Sequence, residues 1–352
     1  MSSTRTGARM LVVFAALLAW AAVAAATALA SPSVLCVKNA KNGAVKGPTT
    51  VGGATCAAGF SKIELPSAAE LAVLDKVMPH IKYEETGVGG KPTIQFSGVN
   101  VQIVNGEGKT ETANGEGNLV VGYNEEATAA EESGSHNIVV GNKQGFTSFG
   151  NLIAGRNNKG LAPDAAVLGG EFNMVESKAG AIAGGAENVV KPESEFSSIS
   201  GGEKNTTSRV FAWIGGGTGN MASGPWASIT GGQENSAAGE LSSITGGALG
   251  SATGKFASIA NGDINKATNE FASVTDGREN SATGVFASVA NGDEDEALAP
   301  GATIGGGQKN KIEGNGHNDW IGGGQKNVIT GELDSIFGGV GNTSAGKGEA
   351  KP

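Results

Sequence analysis

The sequence predicts an all-β protein: a parallel β-roll or β-solenoid of about fifteen short coils, preceded by a small disulfide hairpin and one short helix. Three observations carry this expectation. The first is a period. Ile199, Ile214, Ile229, Ile244, Ile259, Val274, Val289 and Ile304 stand seven consecutive steps of 15 residues apart, and a fixed period of this kind marks a repeat architecture. The second is a set of columns beside this aliphatic anchor that admit only Gly, Asn and Asp. The third is a shortage of bulk. With 59 Gly and 5% aromatics in 352 residues, the chain cannot fill a wide core, but it can fill a narrow one many times over. A strict Gly-X-Y period is absent, so the Gly content is not collagenous.

Taken in order, residues 1–30 read as a secretory signal peptide. Arg5 and Arg9 precede an apolar run from Met10 to Ala26, and Ala28-Leu29-Ala30 supplies a small-x-small cleavage site. The run is also long enough for a retained membrane anchor. Residues 31–65 hold both cysteines, Cys36 and Cys56. An even pair after an export signal reads as one disulfide, worth about 3 kcal/mol by loop entropy.

Residues 66–92 form a short helix and linker. Ser67 and Glu70 make a capping box, Leu71, Leu74 and Met78 follow at a/d spacing, and Pro79 ends the helix. So short a helix is marginal alone in water. Its apolar stripe packs either on its own chain or on the same helix of neighbouring subunits. Residues 93–116 are lead-in strands, with period-2 alternation at 93–96 and 99–103 and a turn at Asn105-Gly106.

Residues 117–346 are the solenoid, and 347–352 a disordered tail. The earlier anchors are Val120, Val139, Ile153, Val167 and Ile182, and the later ones Ile321 and Ile336. Third after the anchor, Gly stands in all twelve coils from Val167 onward. Second after it stands Gly, Asn or Asp, and sixth after it Asn in ten of the twelve. Those residue types tolerate positive φ, so the columns are expected to be left-handed corners, for example Gly202, Asn205, Gly232, Asn235, Gly262, Asn265, Gly277 and Asn280. The Asn side chains can also bond along the stack, as polar ladders do. The interior is one Ile or Val plus small residues two before and eight after the anchor. Twelve regular coils at about 4.8 Å make about 55–60 Å of solenoid.

Three before the anchor stand Phe196, Phe211, Trp226, Leu241, Phe256, Phe271, Phe286 and, later, Leu333, with Gly301 and Asn318 interrupting. Such side chains do not fit inside so thin a coil. They either fold over a coil edge or meet identical stripes of other subunits, since a continuous apolar stripe is more than soluble monomers expose. Three-fold closure hides one stripe per subunit, and two-fold closure also does so.

The wording SITGGQENSAAGELSSITGG and SVTDGRENSATGVFASVANGD resembles the head repeats of trimeric autotransporter adhesins over about residues 117–346. The resemblance implies a left-handed β-roll, a homotrimer and a surface-exposed rod used in adhesion or display. The alternating strands of that family's membrane barrel are not seen in this sequence, so anchoring by that route is not expected. VLCVKNAKNGAVKG and ATCAAGFSKIEL resemble a Cys-paired hairpin module of secreted bacterial repeat proteins.

Chemistry is sparse. His80, His136 and His317 are isolated on or near turns, and no nucleophile or acid/base constellation exists, so no enzyme, cofactor or metal is expected. Asp293-Glu294-Asp295-Glu296 reads as a solvated charged corner rather than a Ca²⁺ site. The formal charge of −9 lacks the basic footprint of a nucleic-acid binder, and no membrane contact beyond the signal sequence is expected. The expectation is a secreted or cell-surface structural or adhesin-like rod. Its alternative is a ligand-binding solenoid for ice, glycan or mineral. That reading uses the outward Ser/Thr of Ser228-Ile229-Thr230, Ser243-Ile244-Thr245 and Ser273-Val274-Thr275, an array broken by Trp213, Gly215, Ala260, Ala290 and Trp320.

Overall fold

The computed structural model describes strands Val34–Lys38, Thr50–Gly52 and Phe60–Glu64, and residues 68–352 apart from 315, with side chains from residue 70 onward. Residues 1–30, expected as a signal peptide, and Cys56, and with Cys56 the expected disulfide to Cys36, lie outside the described residues. The chain divides into two units, residues 1–101 and 102–352.

In the first unit the three N-terminal strands form an antiparallel sheet with Val34–Lys38 central. Helix α1 covers Ala68–Val77. Pro79 allows only a 3-10 turn, Met78–His80, beyond it. Strands Ile81–Glu84 and Thr93–Phe96 then pair antiparallel. Residues 99–103, expected as a strand, have none of that pairing.

The second unit is the solenoid. Its coils stack into two parallel sheets of 16 and 14 strands. The first sheet carries the anchors and the second the residues seven and eight after them, as in Ser228–Ile229 and Ser236–Ala237. Register is coil on coil: Ile214 pairs with Ile229, Ile229 with Ile244, Ala237 with Ala252. Backbone N–H groups bond straight into the next coil, as Ser228 N–H to Ser242 O at 3.0 Å. The 17-residue steps preserve this register, with Ile182 on Ile199 and Thr303 on Trp320. Their extra residues are absorbed between Val190 and Phe196 and between Ile312 and Asn318. The presumed tail is ordered: Ala350–Lys351 pairs with Ser335–Ile336, a sixteenth strand in which Lys351 takes the anchor's place.

The interior holds the expected anchors from Val139 onward, whereas Val120 is 42% exposed. Ile199, Ile214, Ile229, Ala222 and Ala237 are all at 0% exposure. The corner assignment needs correction. Gly202, Gly232, Gly262 and Gly277 are left-handed, with φ of 86, 95, 96 and 98°. A Cβ on Gly232 would meet the Gly247 carbonyl oxygen at 2.1 Å, so space as well as φ demands Gly. Asn205, Asn235, Asn265 and Asn280 are not left-handed. They point inward and are fully buried. The left-handed positions are instead five after the anchor (Lys204, Glu234, Ile264, Glu279) and three before it (Phe196 through Phe286). The column two after the anchor is not left-handed at Gly216 or Gly231, which have open space around them. Asp276 and Asn291 suit that column because each Oδ1 accepts the next residue's N–H, at 2.7 and 2.6 Å.

The buried Asn residues form a ladder. Asn220 Oδ1 accepts from Asn235 N–H at 3.0 Å, while its Nδ2 donates to Gly216 O and Gly232 O, each at 2.9 Å. Each side chain thus satisfies peptide groups of its own coil and the next, which a buried turn requires. The ladder begins at Asn124 and Gln144, reaches Asn342, and breaks at Gly250, which accepts nothing from Asn265. Gly250→Asn is therefore expected to stabilise the protein by about 1 kcal/mol through the restored bonds, measured as a raised midpoint in thermal unfolding.

Candidate functional site

The candidate site is the exposed surface of the coils, and it is built column by column. Three before the anchor, the chain enters each coil through a left-handed residue. At Phe196, Phe211, Trp226, Leu241, Phe256, Phe271, Phe286 and Leu333 φ lies between 55 and 60°. This conformation costs a bulky residue about 1 kcal/mol or more, yet Gly occupies the place only at Gly301 in this run. The side chains point outward, from 38% exposed at Phe256 to 62% at Phe286. Neighbouring rings stack: Phe196 on Phe211, Phe211 on Trp226, and Phe256 on Phe271 on Phe286, with centroids 4.8–5.7 Å apart. The stacking continues the coil pitch and leaves ring edges facing out. None of these side chains folds back into a buried cap.

A second apolar surface precedes this stripe and escaped the sequence reading. In the first coils the residues on either side of the anchor face outward and are aliphatic: Leu119, Val121, Ile138, Val140, Leu152 and Leu168 are 37–54% exposed. There the corner column holds His136, Gly150, Asp164 and Ala179. From Phe196 onward the pattern inverts. The corner becomes mostly aromatic, and the outward positions become mostly Ser and Thr, with Ala, Gly, Trp213, Trp320 and Phe337 among them. The signal was legible in Asn-Leu-Val-Val-Gly, where all three aliphatics cannot point inward under period 2.

The helix contributes a third surface, within the first unit. Leu74 and Met78 are 46% and 58% exposed, Val73 and Val77 are exposed as well, and Leu71 is half-buried.

The acidic corner does not converge on a cation. Asp293 pairs with Arg278 at 2.6 Å, Glu294 with Lys309 at 3.4 Å and Glu296 with Lys311 at 3.3 Å. Asp295 points inward as a member of the Asn ladder and is fully buried. Its Oδ1 accepts from Asn310 N–H at 2.7 Å, and its Oδ2 has no partner. Burial pushes this carboxyl up to about 6. Burial likewise raises Asp319, whose Oδ1 accepts from Asp334 N–H. Among the described residues no three His, Cys, Asp or Glu are grouped to hold a metal. No described helix is long and apolar enough to cross a membrane. His80 Nδ1 donates to Ser97 O, and His136 Nδ1 to Thr110 O. His136 Nε2 accepts from Asn105 N–H, so both histidines tie loops together.

No family model matches the chain, and no curated protein matches it in sequence.

Proposed function

We propose that this protein is a secreted or surface-displayed homotrimeric rod with a structural or adhesin-like role and no catalytic activity. One observation carries the reading: a stripe of large apolar side chains is kept at left-handed positions, exposed, coil after coil. Backbone preference would place Gly or Asn there, so the side chains themselves are what the position retains. Exposed on one chain, they form a larger apolar surface than a monomer ordinarily presents. Identical stripes meeting about a three-fold axis would cover it. The handover from aliphatic outward columns to an aromatic corner column supports the same reading, because apolar surface continues through both. The exposed face of α1 is the kind of stripe that a short parallel helix bundle buries. A disulfide between Cys36 and Cys56, expected from the sequence, would fit an exported protein. The resemblance of the repeat wording to trimeric autotransporter head repeats supports the same reading.

The test is the simultaneous change Phe256→Ser, Phe271→Ser and Phe286→Ser. Dissociation to monomers with the β-sheet circular dichroism signal retained is the expected result. An assembly that survives the change assigns the stripe to a role within one chain.

A further inference from the structure

The outward face of the first sheet, between Trp213 and Trp320, is an extended surface that the trimer reading leaves unused. Both tryptophans stand directly before an anchor, and both open the same five residues, Trp-Ile-Gly-Gly-Gly, at 213–217 and 320–324. In each case Gly two residues later makes room for the indole. A Cβ on Gly215 would lie 3.1 Å from the Trp213 ring, and one on Gly322 2.7 Å from the Trp320 ring. Each indole therefore lies over the Gly of its own strand, unlike the stacked rings of the corner stripe, and the Trp320 ring also meets the Phe337 ring edge-on at 5.4 Å. Trp213 is 37% exposed.

Seven coil steps separate the two rings, about 34 Å at the spacing of paired strands. Between them the outward positions on either side of the anchors are Ser, Thr, Ala or Gly, as in Ser228, Thr230, Ser258 and Thr275. No charged residue occupies either outward column from Ser198 to Phe337. The opposite sheet, by contrast, places Lys266, Glu296 and Lys311 at its outward positions. A long, flat, neutral strip of hydroxyls, ended by two flat indoles, is complementary to a ligand that is itself long, neutral and hydroxylated. The axial C–H faces of pyranose rings match the electron-rich indole face. A hydroxyl ladder at strand pitch offers donors and acceptors to successive sugars.

We infer that this face binds a neutral polysaccharide chain laid along the solenoid axis, with Trp213 and Trp320 as stacking platforms. The inference does not rest on the trimer. It is tested on the full chain and on the monomerising Phe256/Phe271/Phe286→Ser variant, so failure of one reading leaves the other intact. The probes are cellulose, chitin, xylan and mannan oligosaccharides of about eight or more sugars, long enough to span both rings at the strand spacing given above, followed by titration calorimetry and tryptophan fluorescence. At least one should bind with quenched fluorescence. Trp213→Ala and Trp320→Ala should each weaken it by about tenfold or more, and Trp226→Ala should leave it unchanged in the monomeric background. Ser258→Glu, which leaves both indoles in place, should weaken it as well. Binding of none of the four probes in either background overturns the inference. So does binding indifferent to both tryptophans and to Ser258→Glu, and so does thermal hysteresis without sugar binding, which would assign the strip to ice.

Discussion

Asp295→Asn is expected to stabilise the protein at neutral pH by about 3 kcal/mol and to remove the part of its pH dependence between about pH 4 and 7 that this carboxyl sets. The ladder explains why. Every neighbouring position offers Nδ2 as a donor to two peptide carbonyls, for example Asn280 to Asp276 O and Gly292 O at 3.0 Å each. Asp295 brings Oδ2 to the corresponding place beside Gly292, and that oxygen has no donor. The corner responds: φ at Gly292 is 137°, against 86–98° at Gly202 through Gly277. Burial raises the carboxyl to about 6, above its value of about 3.9 in an unfolded chain. Between those values the folded protein holds a proton that the unfolded chain has released. Stability therefore falls as pH rises through this window, and the full loss, about 3 kcal/mol, applies above it. Protonated, Asp295 has an O–H to donate, as Asn does. Denaturant titrations of both proteins at several pH values check this. Parallel curves for the two proteins would show that the carboxylate is not strained.

Asn220→Ala is expected to cost about 3–5 kcal/mol, by taking a bond from three peptide groups, of which Asn235 N–H and Gly216 O lose their partner while Gly232 O keeps Thr218 N–H, and by opening a small cavity. The groups are Asn235 N–H, Gly216 O and Gly232 O, all bonded to the Asn220 side chain. Coils touch only their neighbours, so the damage should be local at first. Amide hydrogen exchange should accelerate in the coils around Ile214 and Ile229 before the ends respond. Ser228→Ala, on the outward side of a strand in the next coil, should change stability by less than about 0.5 kcal/mol. A loss below about 1 kcal/mol for Asn220→Ala would mean that water or backbone adjustment replaces the ladder.

The period made the fold legible, because one aliphatic residue per coil must point inward for the stack to bury anything. The Gly column third after the anchor was equally legible, since both φ and the neighbouring carbonyl exclude a side chain. The Asn column was misplaced for a physical reason: Gly, Asn and Asp answer two different demands. One is a left-handed backbone, and the other is a buried group that can serve peptide N–H and C=O together. Parity could have separated them, because Asn235 and Ala237 flank the outward Ser236. Positive φ at Phe256 or Glu234 has no local signature, since coil closure imposes it on residues that would avoid it alone. The strand at Ala350–Lys351 was hidden because Lys351 stands where every other anchor is aliphatic, apart from that one backbone register. Of the candidate surfaces, the aromatic stripe was visible as a column. The flat indoles of Trp213 and Trp320 emerged only from their pairing with Gly215 and Gly322, since in the sequence they read as interruptions of a hydroxyl array.

The central claim is that the apolar stripe is covered by copies of the same chain. Multi-angle light scattering of the purified protein at micromolar concentration tests it most directly. A mass of three chains is the result predicted here, and a clean monomer would contradict the account.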